Sequence, residues 1–378
     1  MMVILFDLDG ILLEPLAYHR ALQDTVGLVG KALGYRTVIL TQDDIELFES
    51  VGVTSEWDSA AICAALLLRG IWTIYPDRGL PPAPALPRAR MHDLPKPQLQ
   101  DFFRSLESSI SADTSPVVVA EHSLLNDGFA YTESQTIALQ TILRMAHQPY
   151  RSLTHRIFQE LVLGSRVFQD TYDLEAHLDV DGYLTSLDHS ILTADLREQL
   201  LAWLEQPGHH AAVFTNRPSR PSLRAQDAPE AEMGLAAVDL EELPLVARGG
   251  LAWLAESRGL PPDTLLKPSA VHTLAALLHA AGHPLEAALQ AAAGLALDEI
   301  RDPIWEDFAG AEIYAFEDSA AGLRSVRSAQ AILARVGIAV EPVLIAVTQS
   351  SRKRKSLQVA GGDVFPDMLK AFQAVGLI

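Results

Sequence analysis

Two carboxylates, Asp7 and Asp9, stand two residues apart at the end of a short all-apolar run, Val3 to Phe6, and Gly10 follows them. Residues i and i+2 of an extended chain point to one side, so the spacing lets both acids face one ligand. There they could supply nucleophilic, proton-transferring or metal-binding oxygen. The run is continuous rather than alternating, the pattern of a strand buried on both faces. In open α/β sheets the ligand site lies outside the carboxyl ends of the strands, so a strand that ends in acids delivers them to a crevice on a rigid support. Taken alone, the stretch also reads as a strand that stops in an ordinary Asp and Gly turn.

Three later segments pair an apolar run with polar residues at its end. They are AAVFTN with Thr215 and Asn216, LLKP with Lys267, and EIYAFEDSAAG with Glu317, Asp318 and Gly322. In this order, DxD, Thr, Lys and a terminal acidic pair, the four resemble the motifs of the haloacid dehalogenase superfamily. The nearest likeness is to its phosphoglycolate phosphatase and beta-phosphoglucomutase-like branch. The resemblance covers residues 1–13 and roughly 190–378, and any one motif alone would carry little. It implies a Rossmann-like core and phosphate ester chemistry. Asp7 resembles the nucleophile that forms an aspartyl-phosphate, and Asp9 the acid that protonates the leaving group and then activates water. Thr215 and the Asn216 amide would donate to phosphate oxygens, and Lys267 would neutralise the nucleophile and the transferring group.

The charges then require a cation. Asp7, Asp9, Glu317 and Asp318 would converge on a phosphate dianion, and each like-charge pair near 4 Å costs roughly 4 kcal/mol at an effective dielectric of 20. Lys267 alone cannot offset this. A hard divalent ion with oxygen ligands fits better than zinc, which points to Mg²⁺. By resemblance its ligands are Asp7, the backbone carbonyl of Asp9, and Asp318, with Glu317 acting directly or through water. The favoured reading is a Mg²⁺-dependent phosphatase acting on a small phosphorylated metabolite. A phosphomutase would use the same core residues. Dehalogenation is disfavoured because that branch lacks the second motif acid, present here as Asp9. Phosphonate hydrolysis relies on a cap lysine, and the first half of the insertion has only Lys31 and Lys96. A protein of another class, a binding or scaffold chain that keeps the fold without useful turnover, is motivated by the enlarged insertions and opposed by the four intact motifs.

The elements that must position these residues follow the α/β pattern. Strand-like and helical segments alternate through AAVFTN, GGLAWLAESRGL, SAVHTLAALLHAAG, IYAF and VLIAVT, the last read as the final strand, which predicts a doubly wound parallel sheet. The core is expected over 1–13 and 190–378, with a large, mainly α-helical cap inserted after the first strand, residues 14–189. Within the insertion Thr41 and Thr54 or Ser55 read as N-caps of two helices forming a hairpin. Residues 77–97 are too proline-rich for helix or central strand and read as an extended surface excursion. Helical pattern resumes in ESQTIALQTILRMAH and LTHRIFQELVLGSRVFQDTY, and Asp181 and Gly182 mark the turn back to the core. Glu56, Trp57, Asp58, Arg151 and His155 are polar or aromatic residues of the insertion without a motif. SRKRK, residues 351–355, reads as a solvated basic loop.

At 378 residues the chain exceeds the size at which one core stops growing, so two domains are expected. A formal charge of −19 argues against nucleic-acid and anionic-membrane partners, since phosphate backbones are bound by Lys and Arg surfaces. The single cysteine, Cys63, excludes an internal disulfide and any multi-Cys metal site. No apolar stretch has the length of a membrane-spanning helix, and the start lacks the pattern of a signal peptide. A cytoplasmic enzyme with a small-molecule phosphate ester substrate is expected, and its oligomeric state is left open.

Overall fold

The computed structural model describes residues 1–79, 94, 97–110, 114–220 and 228–377. The chain divides into two compact units, Met1–Pro15 with Asp188–Ile378, and Leu16–Leu187. The first begins with β1 (Met2–Phe6) and the two-residue β2 (Leu13–Glu14). β2 pairs antiparallel with β3 (His189–Ser190), which ties both ends of the long insertion to the core unit.

The insertion is helical: α1 (Leu16–Leu33), α2 (Gln42–Ser50), α3 (Glu56–Trp72), α4 (Leu99–Leu106), α5 (Pro116–Leu125), α6 (Glu133–Arg144), α7 (Leu153–Leu163), α8 (Ser165–Tyr172) and α9 (Tyr183–Ser186). Thr41 and Asp44 cap α2 reciprocally, and Ser55 rather than Thr54 caps α3. These two helices do not form the expected hairpin. α2 packs on α4, with Phe48 stacked on Phe103 at 3.5 Å and Gln100 donating to Asp44, while the almost wholly apolar α3 packs on α1. The segment LTHRIFQELVLGSRVFQDTY is two helices, because Gly164 adopts φ +81° and pairs with Asp181. Trp57 lies between His155, at 4.4 Å, and His147, whose Nε2 meets Asp58 Oδ1 at 2.7 Å. Most of the proline-rich stretch 77–97 lies outside the described residues.

The core unit resumes with α10 (Ala194–Leu204), β4 (His209–Phe214), α11 (Glu230–Ala237), β5 (Leu245–Val246), α12 (Arg248–Ser257), α13 (Ala270–Ala280) and α14 (Leu285–Leu297). It ends with β6 (Glu312–Glu317), α15 (Ala320–Arg335), β7 (Val343–Val347), α16 (Ser351–Val359), β8 (Asp363–Phe365) and α17 (Met368–Ala374). A six-stranded parallel sheet runs in the order β5-β4-β1-β6-β7-β8. VLIAVT is therefore not the last strand; the short DVF is, too brief and too polar at its start to read as one from pattern alone. The chain leaves β1 toward β4 and β5, then returns to β6 on the other side of β1, which makes the carboxyl end of β1 a topological switch point.

Both faces of the sheet are covered, as the continuous apolar β1 requires. Val3, Leu5, Ala212 and Phe214 pack with Leu251, Leu274, Leu289 and Leu323 of α12 to α15. Ile4, Phe6, Ala211 and Val213 face the opposite way onto Leu196 and Leu200 of α10 and Met368 and Phe372 of α17. Val3 to Phe6 are all fully buried, each contributing about 1.5–3 kcal/mol, so the strand that carries the acids is strongly fixed. SRKRK is not a loop: it forms the start of α16, capped by Ser350, whose Oγ accepts from Lys353 N.

Candidate active site

The register of three strands brings the acids together. Phe6 lies opposite Val213 of β4 and Phe316 of β6, and Asp7 N donates to Phe316 O at 2.9 Å. The next residue on β6 is Glu317, and β4 ends at Phe214 with Thr215 just beyond it, so motif residues far apart in sequence meet at one end of the sheet.

Asp7 is buried, and its Oδ1 accepts from Leu8 N at 2.7 Å and from Lys267 Nζ at 3.0 Å. The same Nζ meets Glu317 Oε1 at 2.5 Å and lies 3.9 Å above the centre of the Phe214 ring. Lys267 follows a single 3₁₀ turn, Pro262–Leu265, and its N–H donates to Asn216 Oδ1 at 3.2 Å. The exposed Asn216 thus fixes the lysine loop with its carbonyl oxygen. Thr215 is buried, and its Oγ1 accepts from Arg217 N at 3.3 Å, which leaves the hydroxyl proton to donate.

Glu317 is fully buried, with Oε2 accepting from Ser319 Oγ at 2.9 Å. Ser319 is the N-cap of α15, and its Oγ accepts from Gly322 N. A Cβ on Gly322 would sit 1.8 Å from Glu317 Oε1, so only glycine lets the first turn of α15 close over that carboxylate. Gly10, at φ +72°, does the same for the second acid, since a Cβ there would lie 2.7 Å from Asp318 Oδ2.

The charges do not balance. Burial, then the neighbouring Glu317 carboxylate, holds the Asp7 carboxyl well above its ordinary range against the pull of Lys267, and Asp318 and Asp9 push the same way. Burial likewise raises Glu317, with Lys267 opposing. Burial alone would lower Lys267, but the two carboxylates together outweigh it and hold the ammonium above its usual value. One buried cation therefore serves two buried carboxylates, while a third close by, Asp318, meets the partly exposed Lys353. Asp7, Glu317 and Asp318 each offer an oxygen within 4.8 Å of the others, an all-oxygen set that fits a hard divalent cation. The side chain of Asp9 is not part of that set.

Asp9 instead faces Arg217. The guanidinium Nε reaches Asp9 Oδ2 at 2.9 Å and Oδ1 at 3.1 Å, and Nη2 reaches Oδ1 at 2.6 Å, while Nη2 also meets Asp188 Oδ2 at 3.1 Å. Sequence reading missed Arg217 and Asp188. The signals were an arginine two residues after Thr215 in TNRP and an acid just before the return to the core. It also missed that Lys353, in the basic run, contacts the site: its Nζ meets Asp318 Oδ2 at 3.1 Å.

No family model matches the chain, and no curated protein matches it. Solved structures do. An X-ray structure from the Northeast Structural Genomics Consortium, target ZR25, is 16% identical over 99% of this chain and 98% of that one, with a TM-score of 0.59. Phosphatase Tt82 from Thermococcus thioreducens is 14% identical over 96% of this chain and 100% of that one, with a TM-score of 0.45. A hydrolase from Pseudomonas syringae is 12% identical over 100% and 99%, with a TM-score of 0.35. The likeness to the first is one of fold.

Proposed function

We propose that the chain is a phosphatase of the haloacid dehalogenase type that hydrolyses a small phosphate monoester through a phosphorylated Asp7. The observation that carries this reading is the buried Asp7–Lys267–Glu317 arrangement at the end of the central parallel strand, with Asp318 beside it. A carboxylate paired with a buried ammonium is an oriented nucleophile for an anionic substrate only if its excess charge is neutralised. Mg²⁺, held by Asp7, Asp318 and Glu317, with the Asp9 carbonyl as the further ligand the resemblance implies, supplies that neutralisation.

The chain's own residues then do the following. An Asp7 carboxylate oxygen attacks phosphorus as the ester P–O bond breaks, and the Asp9 carboxyl gives its proton to the departing oxygen. Thr215 and Asn216 donate to the phosphoryl oxygens, and Lys267 holds Asp7 in place. In the second half Asp9, now a carboxylate, takes a proton from water as that water attacks phosphorus, and inorganic phosphate leaves with Asp7 restored. A panel of phosphorylated metabolites assayed for phosphate release with Mg²⁺, beside the Asp7→Asn variant, tests the proposal. Release by the wild type and none by the variant supports it. Equal release by both would mean that the strand-end acid is only a turn residue.

A further inference from the structure

Arg217 is buried, with 1% of its side chain exposed, and it holds two carboxylates, Asp9 and the equally buried Asp188. A buried ion pair of this kind is weak evidence for stability, because desolvation consumes most of the attraction. Its geometry is more informative. Two guanidinium nitrogens address both oxygens of Asp9, which fixes the plane of that carboxylate as well as its position. Asp9 needs such support. β1 ends at Phe6, and Asp9 sits in a turn closed by Gly10 N donating to Leu13 O, with 27% of its side chain exposed, so no strand ladder orients it.

The arginine is itself anchored at both backbone and guanidinium. Its N–H donates to Thr215 Oγ1, its carbonyl accepts from Arg248 N at 3.1 Å, and Asp188 holds the guanidinium from beyond. Gly234 lies directly beneath: a Cβ there would come within 3.2 Å of Arg217 Nη1. We infer that Arg217, seated on Asp188, is a positioning residue that aims the Asp9 carboxyl at the leaving-group oxygen. The inference rests on the phosphatase reading above.

A positioning role for the proton donor has a signature that a general structural role lacks. Only leaving groups that depart as strong bases need the proton, so misplacing Asp9 should matter for phenyl phosphate and much less for p-nitrophenyl phosphate, which has nearly the same shape. kcat/KM reports steps up to the phosphorylation of Asp7 and excludes the later hydrolysis. Arg217→Lys keeps the charge and loses the fork. It should lower kcat/KM on phenyl phosphate by about 10- to 100-fold, within what a positioned acid supplies, and on p-nitrophenyl phosphate by no more than about threefold. Asp188→Asn should show the same preference with a smaller loss, and it keeps the test alive should Arg217→Lys fail to fold. Equal losses on the two esters, or none, would overturn the inference. Failure of the wild type to release phosphate from either ester would instead overturn the phosphatase reading.

Discussion

Replacing Lys267 by Met removes the single buried cation between two buried carboxylates while nearly conserving volume. At an effective dielectric of 20 the ammonium gains about 5.5 kcal/mol from Asp7 at 3.0 Å and about 6.6 kcal/mol from Glu317 at 2.5 Å, most of it offset by desolvation of the three groups. In the variant that desolvation cost stays for the acids. Their oxygens, within 4.8 Å, also repel by about 3.5 kcal/mol at the same dielectric. Breaking a buried pair this way costs about 3–5 kcal/mol. The cost must depend on pH. Both carboxyls already sit above their ordinary range, Asp7 well above it, so the folded state binds protons that the unfolded state has released. Stability from this source is complete below the ordinary carboxyl value and is lost as pH rises through the folded values. Without Lys267 the folded values rise further, so the deficit should be small near about pH 5 and approach the full figure near about pH 8. Urea unfolding followed by tryptophan fluorescence at both pH values, without metal, measures it. A deficit below about 1 kcal/mol, or one equal at both pH values, would refute the charge argument.

Chelation of Mg²⁺ should abolish phosphate release, and added Mg²⁺ should raise the melting temperature more at alkaline than at acid pH, because protons and metal compete for Asp7 and Glu317; a pH-independent shift would count against that site. Gly322→Ala must displace Glu317 from Lys267, so loss of activity with α15 intact by circular dichroism is expected, and normal turnover would show that the contact yields. Burial, then the Lys267 charge, pushes the His272 imidazole down to about 3, while its Nε2 donates to Val246 O at 3.1 Å. The folded state then binds fewer protons than the unfolded one, so this contribution is present above the ordinary histidine range and lost as pH falls toward the folded value, with a slope of about 1.4 kcal/mol per unit. The difference in urea stability between wild type and His272→Leu should follow that slope, and a flat difference would show that the imidazole protonates without cost.

Much of the core was legible because its determinants are local. An apolar run that stops at two acids, with helices and strands alternating after it, yields β1, β4, β6 and β7, and the meeting of Asp7 with Glu317 follows from parallel register, while Lys267 reaches both from a loop. The helical insertion was legible in its caps and less so in its pairing. α3 is apolar almost all round, so periodicity names no single partner, and the stacked Phe48 and Phe103 join helices separated by a long stretch of chain.

The polar contacts that complete the site were not legible for a different reason. Each is made by a residue whose composition reads as surface: Arg217 in a turn, Asp188 before a short strand, Lys353 in a basic run. A motif identifies residues by type and order, but an ion pair depends on where a third element brings its charge. Asp9 and Arg217 are separated by the whole insertion, and only the sheet order, with β4 beside β1, makes them neighbours. Lys353 reaches Asp318 because α16 follows β7, which lies beside β6. The site therefore has two layers of specification. The acids are set by the ends of β1 and β6, and the lysine by a loop that Asn216, just past the end of β4, holds in place. The orientation of the proton donor is set by a buried arginine that no pattern along the chain distinguishes from solvated charge.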